Sequence, residues 1–506
     1  MTTSAASDHP SDLESVATTQ TRALDVGFFG HPKGLSTLFF TEMWERFSYY
    51  GMRALLILFM TTPVAAGGLG FGVAEAGALY GLYTAAVYLL ALPGGWIADR
   101  LWGQQRSVLV GGILIAAGHF TLAIPGLPTF YGGLVLIVLG TGLLKPNISI
   151  IVGQLYSAED ARRDAGFSIF YMGINLGGFL APIVCGYLGE SIAWHWGFSA
   201  AGFGMVLGLV QYVVGRRHLG DAGRRPIEPI TDPAEGRRLQ GLALLTLGVV
   251  GTFTVALILG WLPITVVELA NSAVLLIGGA AAIFFLRTLT RSDLEGGERR
   301  RIGAVAVLFV FSTLFWMGFE QGGSSLSLFA RDMTDRVVAG WEFPASWFQF
   351  VNSAFVIALV PVFALLWVKL GTRQPSVPVK FGLGLVLLGA GFGVLTVAAN
   401  LAQSGVKVGL GWLVAAYFLH TCGELCLSPV GLSTVTKLAP ERLSGQMMGV
   451  WFISISLGNL IAGLVAGQAA SLSMMQVFFA VFGVTAVAGL LLLVLRRPVL
   501  SLMGRG

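Results

Sequence analysis

Runs of about twenty apolar residues recur from Leu35 to Leu495, divided by short polar stretches. A helix of that length crosses a hydrocarbon core about 30 Å thick. The runs are continuous rather than alternating, which excludes a transmembrane barrel, whose strands change face at every residue. The first run covers about Leu35–Met60, and others begin near Ala74, Ser107, Tyr131 and Arg163, with a sixth over about Phe198–Val214. Two purely apolar runs follow, about Leu239–Leu262 and Val266–Leu286, bounded by charged segments Arg216–Arg238 and Arg287–Arg301. Six more begin near Ile302, Pro344, Lys380, Val408, Leu443 and Ser473. The pattern predicts an all-α membrane protein of fourteen spans, in groups of six, two and six. The expected organisation is a tail over 1–34, a six-helix bundle over 35–217 and a linker with two extra spans over 218–301. A second six-helix bundle over 302–497 and a short tail over 498–506 complete it.

Composition agrees. Apolar residues make up 55% of the 506 and charged residues 11%, where soluble proteins carry about 25% charged. Mean hydropathy is +0.78. The 69 glycines suit close helix packing in lipid. Cys185, Cys422 and Cys426 all lie in apolar runs and form no CxxC pair, so neither a disulfide framework nor a metal site is expected. The net charge of +5 is explained by position. Of the 31 Lys and Arg, Arg46, Arg53 and Lys145 fall inside spans. Arg331, Arg336 and Lys407 fall in loops expected outside, and all the rest in loops or tails expected inside. That asymmetry predicts a multi-pass protein of the cytoplasmic membrane with both ends in the cytoplasm, and no nucleic-acid partner.

Seven ionisable groups sit inside spans: Glu42, Glu45, Arg46, Arg53, Lys145, Glu320 and Glu424. Such groups are costly in lipid and mark function by default. In Thr41–Arg53, positions 42, 45/46, 49/50 and 53 share a helical face, a polar stripe aimed at a central cavity. Glu42 and Arg46, four apart, can pair. Lys145 precedes Pro146, and Glu424 stands before Pro429, where a helix break is expected. Asn175 lies beside Gly177-Gly178, and Trp316 is one turn from Glu320. Four carboxylates face three cations, so one carboxylate lacks a full partner and is suited to take up a proton reversibly. A zwitterion would fit between the halves, its carboxylate on Arg53 and Lys145 and its ammonium on Glu424 with Asn175 and Asn352. His119 and His420 read as packed helix residues.

Two six-span halves suggest the repeat architecture of secondary transporters. Gly95-Trp-Ile-Ala-Asp99-Arg100-Leu-Trp-Gly103-Gln-Gln-Arg106 resembles the GxxxDRxGxR loop of the major facilitator superfamily, which implies a gating role for Asp99. Glu42-x-x-Glu45-Arg46-Phe47-x-Tyr49-Tyr50-Gly51 is similar to the ExxERFxYYG motif of the proton-dependent oligopeptide transporter family. Phe170-Tyr-x-x-Ile-Asn175-x-Gly177, Trp316-x-x-x-Glu320-Gln321 and Gly423-Glu424-x-x-x-Ser428-Pro429 resemble three more of its motifs. The likeness runs over roughly 34–497 and implies a bacterial member with the major facilitator fold.

The resemblance implies uptake of di- and tripeptides driven by protons. It implies that Glu42, Glu45 and Arg46 form the proton-coupling network with Lys145. It pairs Arg53 with Glu320 at an outer gate, with Glu320 a further proton site, and Lys145 with Glu424 as grips for the peptide ends and an inner gate. Tyr49, Tyr88, Asn175, Trp316, Asn352 and Trp451 match pocket residues. The histidine that animal members carry in the second span is replaced by Gly81, which leaves coupling to the carboxylates. The alternative is a carrier of the same fold for nitrate, an amino acid or a peptide-like drug. No HExxH, nucleophile elbow or GxxxxGK[ST] loop occurs, so neither an enzyme nor an ATP-driven pump is expected. The expected partners are peptide, proton and membrane lipid, with no cofactor, and the expected state is a monomer.

Overall fold

The computed structural model describes residues 27–157, 159–230, 232–258, 261 and 263–504. Most of the expected tail over 1–34 and the end of the run expected at Leu239–Leu262 lie outside the described residues. The first half contains α1 (Lys33–Thr61), α2 (Val73–Leu89, carried on by further turns to Trp102), α3 (Gln104–Leu122), α4 (Leu127–Gln154), α5 (Arg163–Gly186, carried on to Ile192) and α6 (Trp194–Gly215). Then come α7 (Pro233–Ile258) and α8 (Val266–Leu289). The second half contains α9 (Gly296–Phe319), α10 (Ser325–Asp332), α11 (Phe348–Leu370), α12 (Val377–Ala402), α13 (Gly411–Leu438), α14 (Ser444–Gly467) and α15 (Met474–Val494), followed by the short α16 (Arg496–Leu502). Four two-residue strands, β1 (Thr334–Asp335), β2 (Val337–Val338), β3 (Trp341–Glu342) and β4 (Val408–Gly409), pair β1 with β4 in parallel and β2 with β3 antiparallel.

Among the described residues, eleven helical segments are long and apolar enough to cross a membrane. The long helices α1 and α3 are not among them. Both carry polar groups: α1 the charged stripe, and α3 opens on Gln104-Gln105-Arg106. Helix α7 is largely apolar after Arg238 but includes side chains outside the described residues. Pro146 and Pro429 do not break their helices as the sequence suggested; each lies inside one continuous helix, like Pro182 and Pro361. Neighbouring helices can absorb the lost backbone donor in such a bundle. The seventh long run of the transporter core starts at Gly296, six residues before the apolar stretch, because Glu295 and Glu298 build a capping box there.

In the first half α1 packs on α5 and α6, and α3 on α4 and α6; in the second, α12 packs on α13 and α15, and α9 on α14. The halves meet along two seams, α2 against α14 and α5 against α11. At the first, glycines allow backbone contact: a Cβ on Gly463 would lie 2.3 Å from the Gly77 carbonyl oxygen and 2.5 Å from the Gly81 Cα. Helix α8 packs on both α2 and α14, so it lies along this seam.

Candidate functional site

The charged stripe of α1 is buried as expected, but in a tighter group. Arg46 Nε lies 2.9 Å from Glu42 Oε1 and 2.5 Å from Glu45 Oε2. One guanidinium therefore serves two carboxylates. All three side chains are buried, and Glu42 Oε2, Glu45 Oε1 and Arg46 Nη2 have no hydrogen-bond partner in the protein. A pair of adjacent carboxylates with one cation holds a negative charge that a single proton would cancel.

Two turns on, Arg53 Nη2 meets Glu320 Oε2 at 2.7 Å across the halves, and its Nε donates to the Tyr80 hydroxyl at 2.6 Å. The Tyr50 ring lies 5.8 Å from the same guanidinium. Glu320 comes from the turn that ends α9, which places its carboxylate against α1 and α2 rather than within its own bundle.

Between these groups lies a cavity at the junction of the halves. Of the residues singled out in the sequence, Arg53, Tyr88, Asn175, Trp316, Glu320, Asn352 and Glu424 line it. The Asn352 amide donates to Glu424 Oε2 at 3.2 Å and to Thr421 Oγ1 at 3.0 Å. Among the described residues Glu424 makes no ion pair. Lys145 holds its ammonium 3.6 Å from the centre of the Tyr88 ring and likewise makes no ion pair with a carboxylate. The expected Lys145–Glu424 contact is thus not formed in this structure. Glu424 lines the cavity, whereas Lys145, expected there, does not: it stands against the Tyr88 ring, and Tyr88 lines the wall.

Two expected pocket residues are placed elsewhere. Tyr49 is 2% exposed, stacks edge-on against Tyr50 and does not line the cavity; Tyr50 does. The spacing 46, 50, 53 would have favoured Tyr50, since those positions follow one face at steps of four and three. Trp451 packs against Phe381 and fills the space over Gly431, where a Cβ would stand 2.3 Å from its ring. Tyr171, Gln349 and Tyr417 line the cavity as well. Tyr171 stands in the Phe170-Tyr-x-x-Ile-Asn175-x-Gly177 motif without a role of its own there, and Tyr417 carried no signal in the sequence, because one aromatic on an apolar helix looks like any other. His119 is buried with Nε2 2.5 Å from Ser48 Oγ, and the His420 ring packs tilted against Phe392 at 4.7 Å; both are packed helix residues, although His420 also borders the cavity.

Asp99 lies at the terminus-bearing end of the first half. Its carboxylate accepts from Gln104 Nε2 at 2.7 Å, its carbonyl accepts from the Glu228 N–H at 3.0 Å, and Arg100 pairs with Glu228 at 2.9 Å. Gly103 turns the chain with φ of 76°, and a Cβ there would stand 2.8 Å from the Arg224 carbonyl. Only glycine fits that turn without strain. The loop is braced by the segment that follows α6.

The model of the POT family matches residues 105–483. A peptide transporter of Yersinia enterocolitica is 44% identical over 90% of this chain and 91% of its own length. A di-/tripeptide transporter of Lactococcus lactis is 41% identical, covering 94% of this chain and 97% of that protein. A crystal structure of a peptide transporter in complex with alafosfalin superposes with a TM-score of 0.89 at 44% identity, over 96% of this chain and 99% of that one. Paired with two helix bundles around a charged cavity, these matches show that the chain is a transporter of the major facilitator fold and belongs to the POT family, the proton-dependent oligopeptide transporters.

Proposed function

We propose that this chain imports di- and tripeptides across the cytoplasmic membrane together with protons, by alternating access, as a monomer with both ends in the cytoplasm. The observation that carries the substrate class is that Glu424 of the second half, lining the cavity, and Lys145 of the first half, against the Tyr88 ring that lines it, make no ion pair among the described residues. Every short peptide offers a carboxylate and an ammonium. Lys145 would take the first and Glu424, steadied by Asn352 and joined by Asn175, the second. Tyr50, Tyr88, Tyr171 and Trp316 offer ring faces to side chains of any sequence, so end recognition would set selectivity. The names of the Yersinia and Lactococcus relatives support the same substrates.

Proton coupling is assigned to Glu42, Glu45 and Glu320. A proton on the Glu42–Glu45 pair would leave Arg46 satisfied by one carboxylate. A proton on Glu320 would release Arg53, which is then free for the peptide carboxylate, and would loosen the junction between halves. Sidedness rests on the basic residues, which concentrate at the terminus-bearing end.

The test is uptake of labelled dialanine by proteoliposomes. Accumulation above equilibrium under an inward acid gradient, abolished by a protonophore, is expected. Glu42→Gln, Glu45→Gln and Glu320→Gln should each lose accumulation while counterflow exchange survives in at least one. Transport of dialanine that ignores the gradient would overturn the coupling. No movement of dialanine or trialanine by folded protein would overturn the substrate class and turn the search to nitrate, amino acids and peptide-like drugs.

A further inference from the structure

A second cavity, of about 590 Å3, lies away from the charged one, at the terminus-bearing end of the second half. It is a wedge among α11, α12 and α13. Helix α11 packs on α5 and α13, and the wedge opens between it and the start of α12. Its walls are apolar: Phe363, Leu425 and Val430 are among them. Its mouth is polar and carries one sign of charge. Lys380 and Lys437 border it with Ser376 and Thr434, and among the described residues no carboxylate does.

Lys380 is unusual. It is 8% exposed, yet it makes no ion pair among the described residues. Its ammonium stands 4.2 Å from the centre of the Trp367 ring and donates to Gln374 Oε1 at 3.0 Å. Gln374 in turn donates to the Trp367 carbonyl at 2.8 Å, which fixes the cluster. The same mouth contains the start of α12, a 26-residue helix whose N-cap, Ser376, makes no side-chain capping bond. Free N–H groups and the positive end of a helix dipole favour an anion there. Lys437 is on the exposed surface opposite.

A buried cation, an uncapped helix start and a second lysine call for a phosphate-type group. The apolar wedge beneath calls for hydrocarbon attached to it. Helix α11 is the least buried of the candidate spans, with 6% of its apolar window covered by protein, so the wedge adjoins the lipid. We propose that this wedge binds one anionic phospholipid, its headgroup phosphate held by Lys380, Lys437 and the start of α12, and an acyl chain lodged between α11 and α13. Basic pockets between helices on the cytoplasmic side are suited to such headgroups. The site is separate from the transport cavity and does not depend on what is carried.

Native mass spectrometry of the purified full chain gives the test, with phosphatidylglycerol and phosphatidylcholine of matched acyl chains as probes and thermal stability as a second readout. Phosphatidylglycerol should be retained about tenfold more strongly than phosphatidylcholine, and Lys380→Gln with Lys437→Gln should abolish that preference. Lys437→Gln alone, at an exposed position, should weaken it with no change in lipid-free stability. Val430→Trp, which fills the wedge and leaves the charges, should also weaken retention. Equal retention of the two lipids, or a preference that survives the double substitution, would overturn the proposal. So would protection by inorganic phosphate equal to that by the lipid, which would show a simple anion site.

Discussion

Arg53 is held by three residues from three different helices. Glu320 neutralises it, Tyr80 accepts from its Nε, and Tyr50 covers one face. The pair is buried, so its two members are not equal in what their loss would cost. Removing one partner strands a charge out of water, which costs about 3–5 kcal/mol, whereas replacing both with apolar groups of like size is often neutral. Arg53→Met alone should therefore lower the thermal midpoint in detergent clearly, and Arg53→Met with Glu320→Met should recover most of the loss while remaining inactive in uptake. A double variant no more stable than the single one would mean that the ion pair is not what the helix ends are built around. The charged members of this site were legible in the sequence because charge inside a span is rare and must be compensated. Their polar supports were not. Tyr80 matters through its reach to Arg53 across two helices, and nothing in the run Val73–Leu89 distinguishes its hydroxyl from that of Tyr83. Trp451 shows the reverse error: an aromatic next to the cavity helices turned out to fill a gap over Gly431.

Helices rather than residues decide how the two halves meet. Hydropathy located nearly every long helix, since twenty apolar residues leave little choice of structure. It was silent on which helices touch, because lipid tails are as apolar as a leucine face and small residues alone bring backbones together. The α2–α14 seam is such a place. Gly77, Gly81 and Gly463 put main chain on main chain, and the Ser456 hydroxyl donates to the Ala85 carbonyl at 2.9 Å further along. A methyl group at Gly463 would meet backbone, which cannot step aside as a flexible side chain would. Gly463→Ala is expected to reduce dialanine uptake at least tenfold at matched expression, a change of about 1.4 kcal/mol or more in the fit of the halves. Gly279→Ala on α8, where a Cβ meets nothing within 4 Å, should transport as the parent does. Equal activity of both variants would show that the seam tolerates separation. Helix α8 lies along this same seam, which gives one of the two helices between the bundles a structural place that its plain apolar sequence did not reveal.

The hydrogen bonds and ion pairs joining the halves cluster at the end away from the chain termini. There the Glu190 carboxylate accepts from the Ala345 and Ser346 N–H groups, each at 2.9 Å, and so caps the turn that leads into α11. The Trp347 indole donates to the Ile183 carbonyl at 3.1 Å, and Arg331 donates to the Thr61 hydroxyl at 2.7 Å. With Arg53 and Glu320 just below, this end is sealed by contacts that cross from one bundle to the other. Alternating access requires that these contacts open when the cavity faces the far side, because the same residues cannot both bar and admit a peptide. A covalent link at this point should therefore stop the cycle. A Cβ on Gly186 would stand 3.3 Å from the Ser346 Cβ, close to the range of about 3.5–4.5 Å that a disulfide needs. In a background with Cys185, Cys422 and Cys426 replaced, Gly186→Cys with Ser346→Cys should cross-link on mild oxidation, halt dialanine uptake, and regain it on reduction. Each single substitution should respond to neither treatment. Full uptake by protein shown to be cross-linked would mean that this end never parts, and that the halves do not rock about the cavity as the proposed cycle demands.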